Sequence, residues 1–219
     1  MRIHLWQMHY PIMKFCKYRF FIAAVLLLAG CSQLSSNEII SQYSSNNSQS
    51  TREIIKQINY TINHRIEYQL DQRQYGLLDY WAAPIEALKN GKGDCEDYAF
   101  LKRELLIRIG IPKESLKLMQ ADVDSFAKVA HKKQITMPHI VLAYYPNEHT
   151  TNPLILDNST DAIKYLRSLK GFHLNYIFNE QAVWKVSGNN QQTLVNNTDI
   201  LPKFSALVAR QRGNSNKAM

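Results

Sequence analysis

One thiol stands apart among the residues able to do covalent chemistry. It lies in Trp81–Gly110, WAAPIEALKNGKGDCEDYAFLKRELLIRIG. Pro84 marks the first residue of a short helix, Gly91 stops it, and a second helix begins at Asp94–Cys95 after the loop Gly91–Lys92–Gly93. In that second helix Tyr98, Leu101, Leu105 and Ile109 recur at helical spacing, and Gly110, Ile111 and Pro112 end it. Cys95 therefore falls on a first helical turn, where unpaired N–H groups and the helix dipole favour a thiolate and offer a donor to an oxyanion. That is nucleophile chemistry, and it requires partners.

A cysteine nucleophile needs an imidazole to take its proton, and the imidazole needs a carboxylate or amide to orient it. His139 opens the apolar run HIVLAYY, and the run that follows, LILDN, ends in Asp157. As hairpin partners, the two runs would bring both side chains to one rim of a sheet. The pattern alone equally allows His139 to cap a strand and Asp157 to start a turn with Asn158. Of the other histidines, His64 lies on a predicted helix, His131 and His149 lie in polar loops, and His173 opens another strand.

Three acids, Asp94, Glu96 and Asp97, flank the thiol. Asp94 suits a helix N-cap and acids suit a first turn. Three carboxylates nevertheless oppose a neighbouring thiolate, a penalty that a bound calcium ion would reverse.

The elements around this centre predict one α+β domain. With 219 residues, 45% of them hydrophobic, the chain can bury one sizeable core. From Thr51, which can cap, to about Leu70, Ile54, Ile55, Ile58, Ile62 and Ile66 trace an amphipathic helix. Tyr75–Tyr80 is a loop, and Trp81 is most simply a core aromatic. After Pro112 the pattern alternates: LKLMQADV, HIVLAYY and LILDN are strands, Ile163–Leu169 suggests a helix, and HLNYIF and AVWKV are two further strands. A helical half followed by an antiparallel sheet results. Residues 31–50, rich in Ser, Asn and Gln, predict a tether; residues 51–187 predict the folded domain. Residues 188–219 predict a polar tail in which only Ile200–Ala209 has an ordered pattern.

Residues 1–30 have the form of a signal peptide, with basic residues before FFIAAVLLLAG, a run shorter than the roughly 20 residues of a spanning helix. Met13 is an alternative start. Leu28-Ala29-Gly30-Cys31 resembles the lipobox of bacterial lipoproteins, which implies a lipidated Cys31 as the first mature residue and, with Ser32 following, an outer-membrane address. An ordinary cleaved signal ending near a cysteine is the alternative. Cys16 leaves with the leader and Cys31 would be acylated, so Cys95 alone remains; in an exported domain a solitary thiol is either reactive or an inert core residue. The formal charge is +8, of which Arg2, Lys14, Lys17 and Arg19 supply four. The remainder is too mild and too evenly spread to indicate a nucleic-acid partner. No Walker A, dinucleotide-binding or CxxC pattern is present.

DYWAAPIEALKNGKGDCEDYAFLK, HIVLAYY and PLILDN, in this order, resemble the bacterial transglutaminase-like cysteine peptidases of the LapG type over roughly residues 54–184. The resemblance implies a papain-like fold of the transglutaminase kind and a triad of Cys95, His139 and Asp157. It also implies calcium held by Asp94 and Glu96, with Asp97 and Asn158 as subsidiary ligands. The implied activity is calcium-dependent periplasmic proteolysis that releases a large surface adhesin by cutting near its N-terminus and so controls biofilm attachment. An inner-membrane cyclic-di-GMP receptor is the implied regulator. Family members are usually soluble in the periplasm, so a lipid anchor at Cys31 is a departure. An acyltransferase that resolves the thioester with an amine, or a noncatalytic binding module, are the competing functions; the intact Cys, His and Asp positions disfavour the last.

Overall fold

The computed structural model describes residues 35–44, 49–124, 136–188, 191–195 and 201–215. The leader, Cys31 and His131 lie outside them. Helix α2 (Thr51–Arg65) buries Ile55, Ile58 and Ile62, each contributing about 1.5–3 kcal/mol relative to exposure. Its cap is Ser50, not Thr51: the Ser50 Oγ accepts from the Glu53 N–H at 3.3 Å. A short strand β1 (Glu67–Tyr68) and the turn-like α3 (Asp71–Gln74) lead to α4 (Pro84–Asn90). Strand β2 (Lys92–Gly93) pairs with β1 in parallel, and α5 (Cys95–Arg108) follows at once.

Helix α5 is the central element. Residues around most of its circumference are buried, including Phe100, Leu101, Leu105 and Leu106. It packs on a seven-stranded antiparallel sheet, in spatial order β6-β5-β4-β3-β7-β8-β9. These strands are β3 (Leu116–Asp124), β4 (Thr136–Tyr144), β5 (Leu154–Asp157), β6 (Thr160–Tyr165), β7 (Phe172–Phe178), β8 (Val183–Val186) and β9 (Gln192–Val195). Leu116, Leu118, Ile140, Leu142 and Leu156 join the helices in the main core, whereas Met119, Val141, Ala143, Ile155 and Ile177 form a second cluster. Apolar contacts on both faces explain why the central strands are written as continuous apolar runs.

Three expectations need correction. Within the expected tether, α1 (Ser36–Ser44) is helical, because Ile39 and Tyr43 fall one turn apart and both enter the core. The Tyr43 hydroxyl also hydrogen-bonds Thr61 Oγ1 of α2 at 2.9 Å. The helix expected at Ile163–Leu169 is instead strand β6 with a single 3-10 turn at Leu166–Ser168, since hairpin pairing to β5 satisfies its backbone. The expected polar tail supplies β9 at the sheet edge and helix α6 (Pro202–Ser215). Phe204 of α6 stacks among Trp81, Phe100 and Phe178, which fixes both the tail and the Trp81 core position.

Candidate active site

The chain enters α5 through a tightly specified turn. Gly91 caps α4 at φ 65°, in the left-handed region that favours glycine. The Glu67 and Gln69 N–H groups donate to the Gly91 and Gly93 carbonyls, each at 2.9 Å, so β1 holds the approach in register. Gly93 has a separate reason: a Cβ there would stand 2.6 Å from the Asp97 side chain. Cys95 follows as the first helical residue, half-buried, and is the one free thiol among the described residues.

Strand β4 carries the histidine to this helix terminus. His139 Nε2 lies 3.0 Å from Asp157 Oδ1 at the end of β5, and each side chain is only 14% exposed. The Ser159 N–H donates to the same Asp157 oxygen at 2.8 Å, so Asp157 both opens a turn and holds an imidazole. Burial pushes the Asp157 carboxyl up, but His139 and Ser159 outweigh it and leave the group below the usual carboxylate range. The next residue, Ile140, presents its backbone N–H to Cys95. The remaining described histidines are engaged elsewhere: His64 with Asp161, His149 with Glu148 in an exposed loop, and His173 with Asp124.

Beside Cys95 the acids gather more densely than the sequence indicated. Asp71 of α3 joins Asp94 and Asp97, while Asp71, Asp79 and Glu96 form an overlapping group, each set with oxygens within 4.8 Å of one another. Asp94 occupies the N-cap position but makes no capping hydrogen bond. The Ala82 N–H holds Asp97 Oδ1 at 2.9 Å, and the Tyr80 N–H holds Asp71 Oδ2. Asp71 Oδ1, Asp94 Oδ1 and Asp97 Oδ2 are buried without a hydrogen-bond partner among the described residues. Burial, reinforced by the charge of Asp94, pushes Glu96 up to about 9 and Asp97 up to about 8. Burial also pushes the Cys95 thiol well above its ordinary value, and Glu96, which accepts the thiol hydrogen bond at 3.1 Å, pushes it the same way. Orphaned carboxylate oxygens with raised pKa values fit a hard cation.

The family described as bacterial transglutaminase-like cysteine proteinase BTLCP matches residues 29–187. The chain belongs to that family. Its fold is similar to the solved structure of EGTA-treated Legionella pneumophila LapG, with TM-score 0.64 and 24% identity over 80% of this chain and 85% of that one. Calcium-bound Legionella pneumophila LapG is also similar, with TM-score 0.63 and 25% identity over 80% and 87% of the two chains. No curated protein sequence matches significantly.

In this transglutaminase-like cysteine proteinase, the free thiol among the described residues meets Glu96 of the acidic cluster and the backbone N–H of Ile140, the residue after His139. Asp94, Glu96 and Asp97 were legible as neighbours of the thiol; Asp71 and Asp79 were not. Asp71 is a nearly fully buried acid at a helix start, a pattern indistinguishable in sequence from a surface cap. Asn158, expected as a subsidiary ligand, follows Asp157, and its Oδ1 is buried without a hydrogen-bond partner among the described residues.

Proposed function

We propose that the protein is a calcium-dependent cysteine endopeptidase using Cys95, His139 and Asp157, and that its substrate is a large surface adhesin cut near its N-terminus in the periplasm. The observation that carries the reading is the His139–Asp157 pair at 3.0 Å on strands that pack against α5, with Ile140, the residue after His139, presenting its N–H to Cys95. In the reaction, the Cys95 sulfur attacks the scissile carbonyl carbon as His139 takes the thiol proton. With Nε2 committed to Asp157, the imidazole has Nδ1 left for the thiol. Collapse of the tetrahedral adduct breaks the C–N bond, and His139 returns the proton to the departing amine. Water, deprotonated by His139, then hydrolyses the thioester. Asp157 orients the imidazole and stabilises its charged form. The Cys95 N–H, at the first turn of α5, is a donor for the oxyanion.

Asp94 and Glu96, with Asp71 and Asp97 beside them, are the residues that would hold calcium. Their orphaned oxygens support this, as does the likeness to calcium-bound LapG. Bound there, calcium would neutralise the carboxylates that keep the thiol protonated. The leader and its Leu28-Ala29-Gly30-Cys31 end support export and an outer-membrane lipid tether at Cys31. Such a tether would place the enzyme beside an adhesin retained in that membrane and would limit access by an inner-membrane cyclic-di-GMP receptor.

The test is cleavage of an adhesin N-terminal fragment by the purified protein, in calcium and in chelator, with Cys95→Ser alongside. Cleavage only by the wild type in calcium supports the reading. Cleavage by Cys95→Ser removes the thiol mechanism, and equal cleavage in chelator removes the metal.

A further inference from the structure

The contact between α2 and α5 contains two residues that an apolar interface does not need. Asn59 and Lys102 are both fully buried, among Ile55, Ile58, Ile62, Leu101 and Leu105. Leucine and methionine at both positions together would avoid desolvating an amide and an ammonium, a replacement that is often neutral or stabilising. What the polar pair does instead is reach the turn that carries Asp157. Lys102 Nζ donates to Asn59 Oδ1 at 2.7 Å, which fixes the amide orientation. Asn59 Nδ2 then faces the Thr160 and Asp161 carbonyls at 3.0 and 3.2 Å. One helical turn further on, Asn63 Nδ2 approaches the Asp157 carbonyl at 3.0 Å, the Thr160 carbonyl at 3.1 Å and Asp161 Oδ1 at 3.1 Å. His64 holds the other Asp161 oxygen at 2.9 Å.

We propose that Lys102, Asn59 and Asn63 are positioning residues, a relay from the nucleophile's own helix through α2 to the Asp157–Asp161 turn, that sets the angle at which Asp157 meets His139. The turn needs such a grip. The β5–β6 register shifts between Ile155 and Asp157, so the sheet alone leaves the end of β5 irregular. Because Lys102 lies on the helix that begins with Cys95, the relay ties the nucleophile and the histidine's carboxylate to one rigid body. Burial pushes the Lys102 ammonium down to about 7, and within that shift Asp157 and Asp161 pull the other way.

The proposal rests on Asp157 orienting His139, and the experiment separates the two ideas. Asn63→Ala, Lys102→Met and Asp157→Asn are compared with wild type as full chains in calcium, by kcat and KM on a peptide substrate, melting temperature, and the His139 pKa from NMR titration. Misalignment predicts that Asn63→Ala lowers kcat roughly 10- to 100-fold with KM changed less than about threefold. It also predicts that the His139 pKa falls, in the direction seen for Asp157→Asn, because the imidazolium loses its carboxylate. Asn63 is only partly buried, so Asn63→Ala is expected to fold even if Lys102→Met, which leaves the buried Asn59 Oδ1 without its donor, does not; in a folded Lys102→Met kcat should fall about three- to tenfold, with the same sign of pKa change. A folded Asn63→Ala or Lys102→Met with wild-type kcat and wild-type His139 pKa overturns the relay while leaving the triad intact. An Asp157→Asn with wild-type kcat and His139 pKa overturns the triad and the relay together.

Discussion

Two groups of buried carboxylates in the candidate site behave in opposite ways. Asp157 is held below the ordinary carboxylate range, whereas Glu96 and Asp97 are pushed up to about 9 and about 8. Burial raises all three. The difference lies in their partners: Asp157 receives an imidazole and a backbone N–H on one oxygen, while the acidic cluster meets mainly other carboxylates and leaves oxygens of Asp71, Asp94 and Asp97 unpaired. The Asp157 group is electrostatically complete within the protein chain. The other has the composition of a cation site.

The harshest way to break this comparison is at Cys95 itself. Cys95→Ser should lower turnover by on the order of 10⁴-fold or more with the fold retained, and His139→Ala nearly as much. His149→Ala, in its exposed loop, should stay within about twofold, as expected of a surface substitution remote from the chemistry. Steady-state kinetics beside circular dichroism checks all three, and equal losses at His139 and His149 would remove His139 from its role as base.

Calcium removal should be next in size. Chelator is expected to suppress both cleavage and labelling of Cys95 by a thiol-reactive probe, and magnesium should restore little, because it requires strict octahedral geometry and dehydrates reluctantly. Calorimetric titration should show calcium binding to the wild type and an affinity lower by roughly tenfold or more in Asp94→Ala. Absence of binding by the wild type would reduce the acids to a helix terminus.

The opposite pKa shifts sharpen the comparison through stability. Between the ordinary values of 4.5 and 3.8 and the raised values of about 9 and about 8, the folded chain holds protons on Glu96 and Asp97 that the unfolded chain has lost. Metal-free stability should therefore fall as pH rises through that window. Asp157 acts with the other sign: its contribution is present above its ordinary value of 3.8 and is lost as pH falls through its lowered folded value. Urea melts in chelator at about pH 5 and about pH 8, repeated with calcium, check this; calcium should flatten the alkaline decline. A metal-free protein more stable at the higher pH would contradict the raised pair.

The smallest expected effect on catalysis comes from Cys31→Ala. It should abolish metabolic labelling by a fatty acid while leaving peptide turnover by purified protein within about twofold, because neither carboxylate group depends on an anchor. An unlabelled wild type would make Cys31 an incidental part of the leader.

Local signals made much of the fold readable. Helices α2, α4 and α5 and strands β3, β4, β5, β7 and β8 follow from apolar periodicity and from Pro84, Gly91 and Gly110, since spacing and backbone freedom are properties of short segments. The misses are segments whose conformation depends on a distant surface. Residues Ser36–Ser44 are mostly polar, and their helix is held by burying Ile39 and Tyr43. Thr160–Tyr165 became a strand because β5 offered an edge. Helix α6, within a tail where the sequence marked only Ile200–Ala209 as ordered, is fixed by the ring cluster that receives Phe204.

The sequence by itself determined that a single thiol would open a helix beside Asp94, Glu96 and Asp97, because capping and stop signals act within a few residues. It also singled out His139 and Asp157 as partners, through strand order and family resemblance. Only the tertiary structure decided that these two meet at 3.0 Å, that Asp71 and Asp79 complete the acidic cluster, and that Asn59, Asn63 and Lys102 grip the turn behind Asp157. Those outcomes depend on which side chains share a buried space, and burial is what turns an ordinary asparagine, lysine or aspartate into one whose hydrogen bonds and charge must be satisfied.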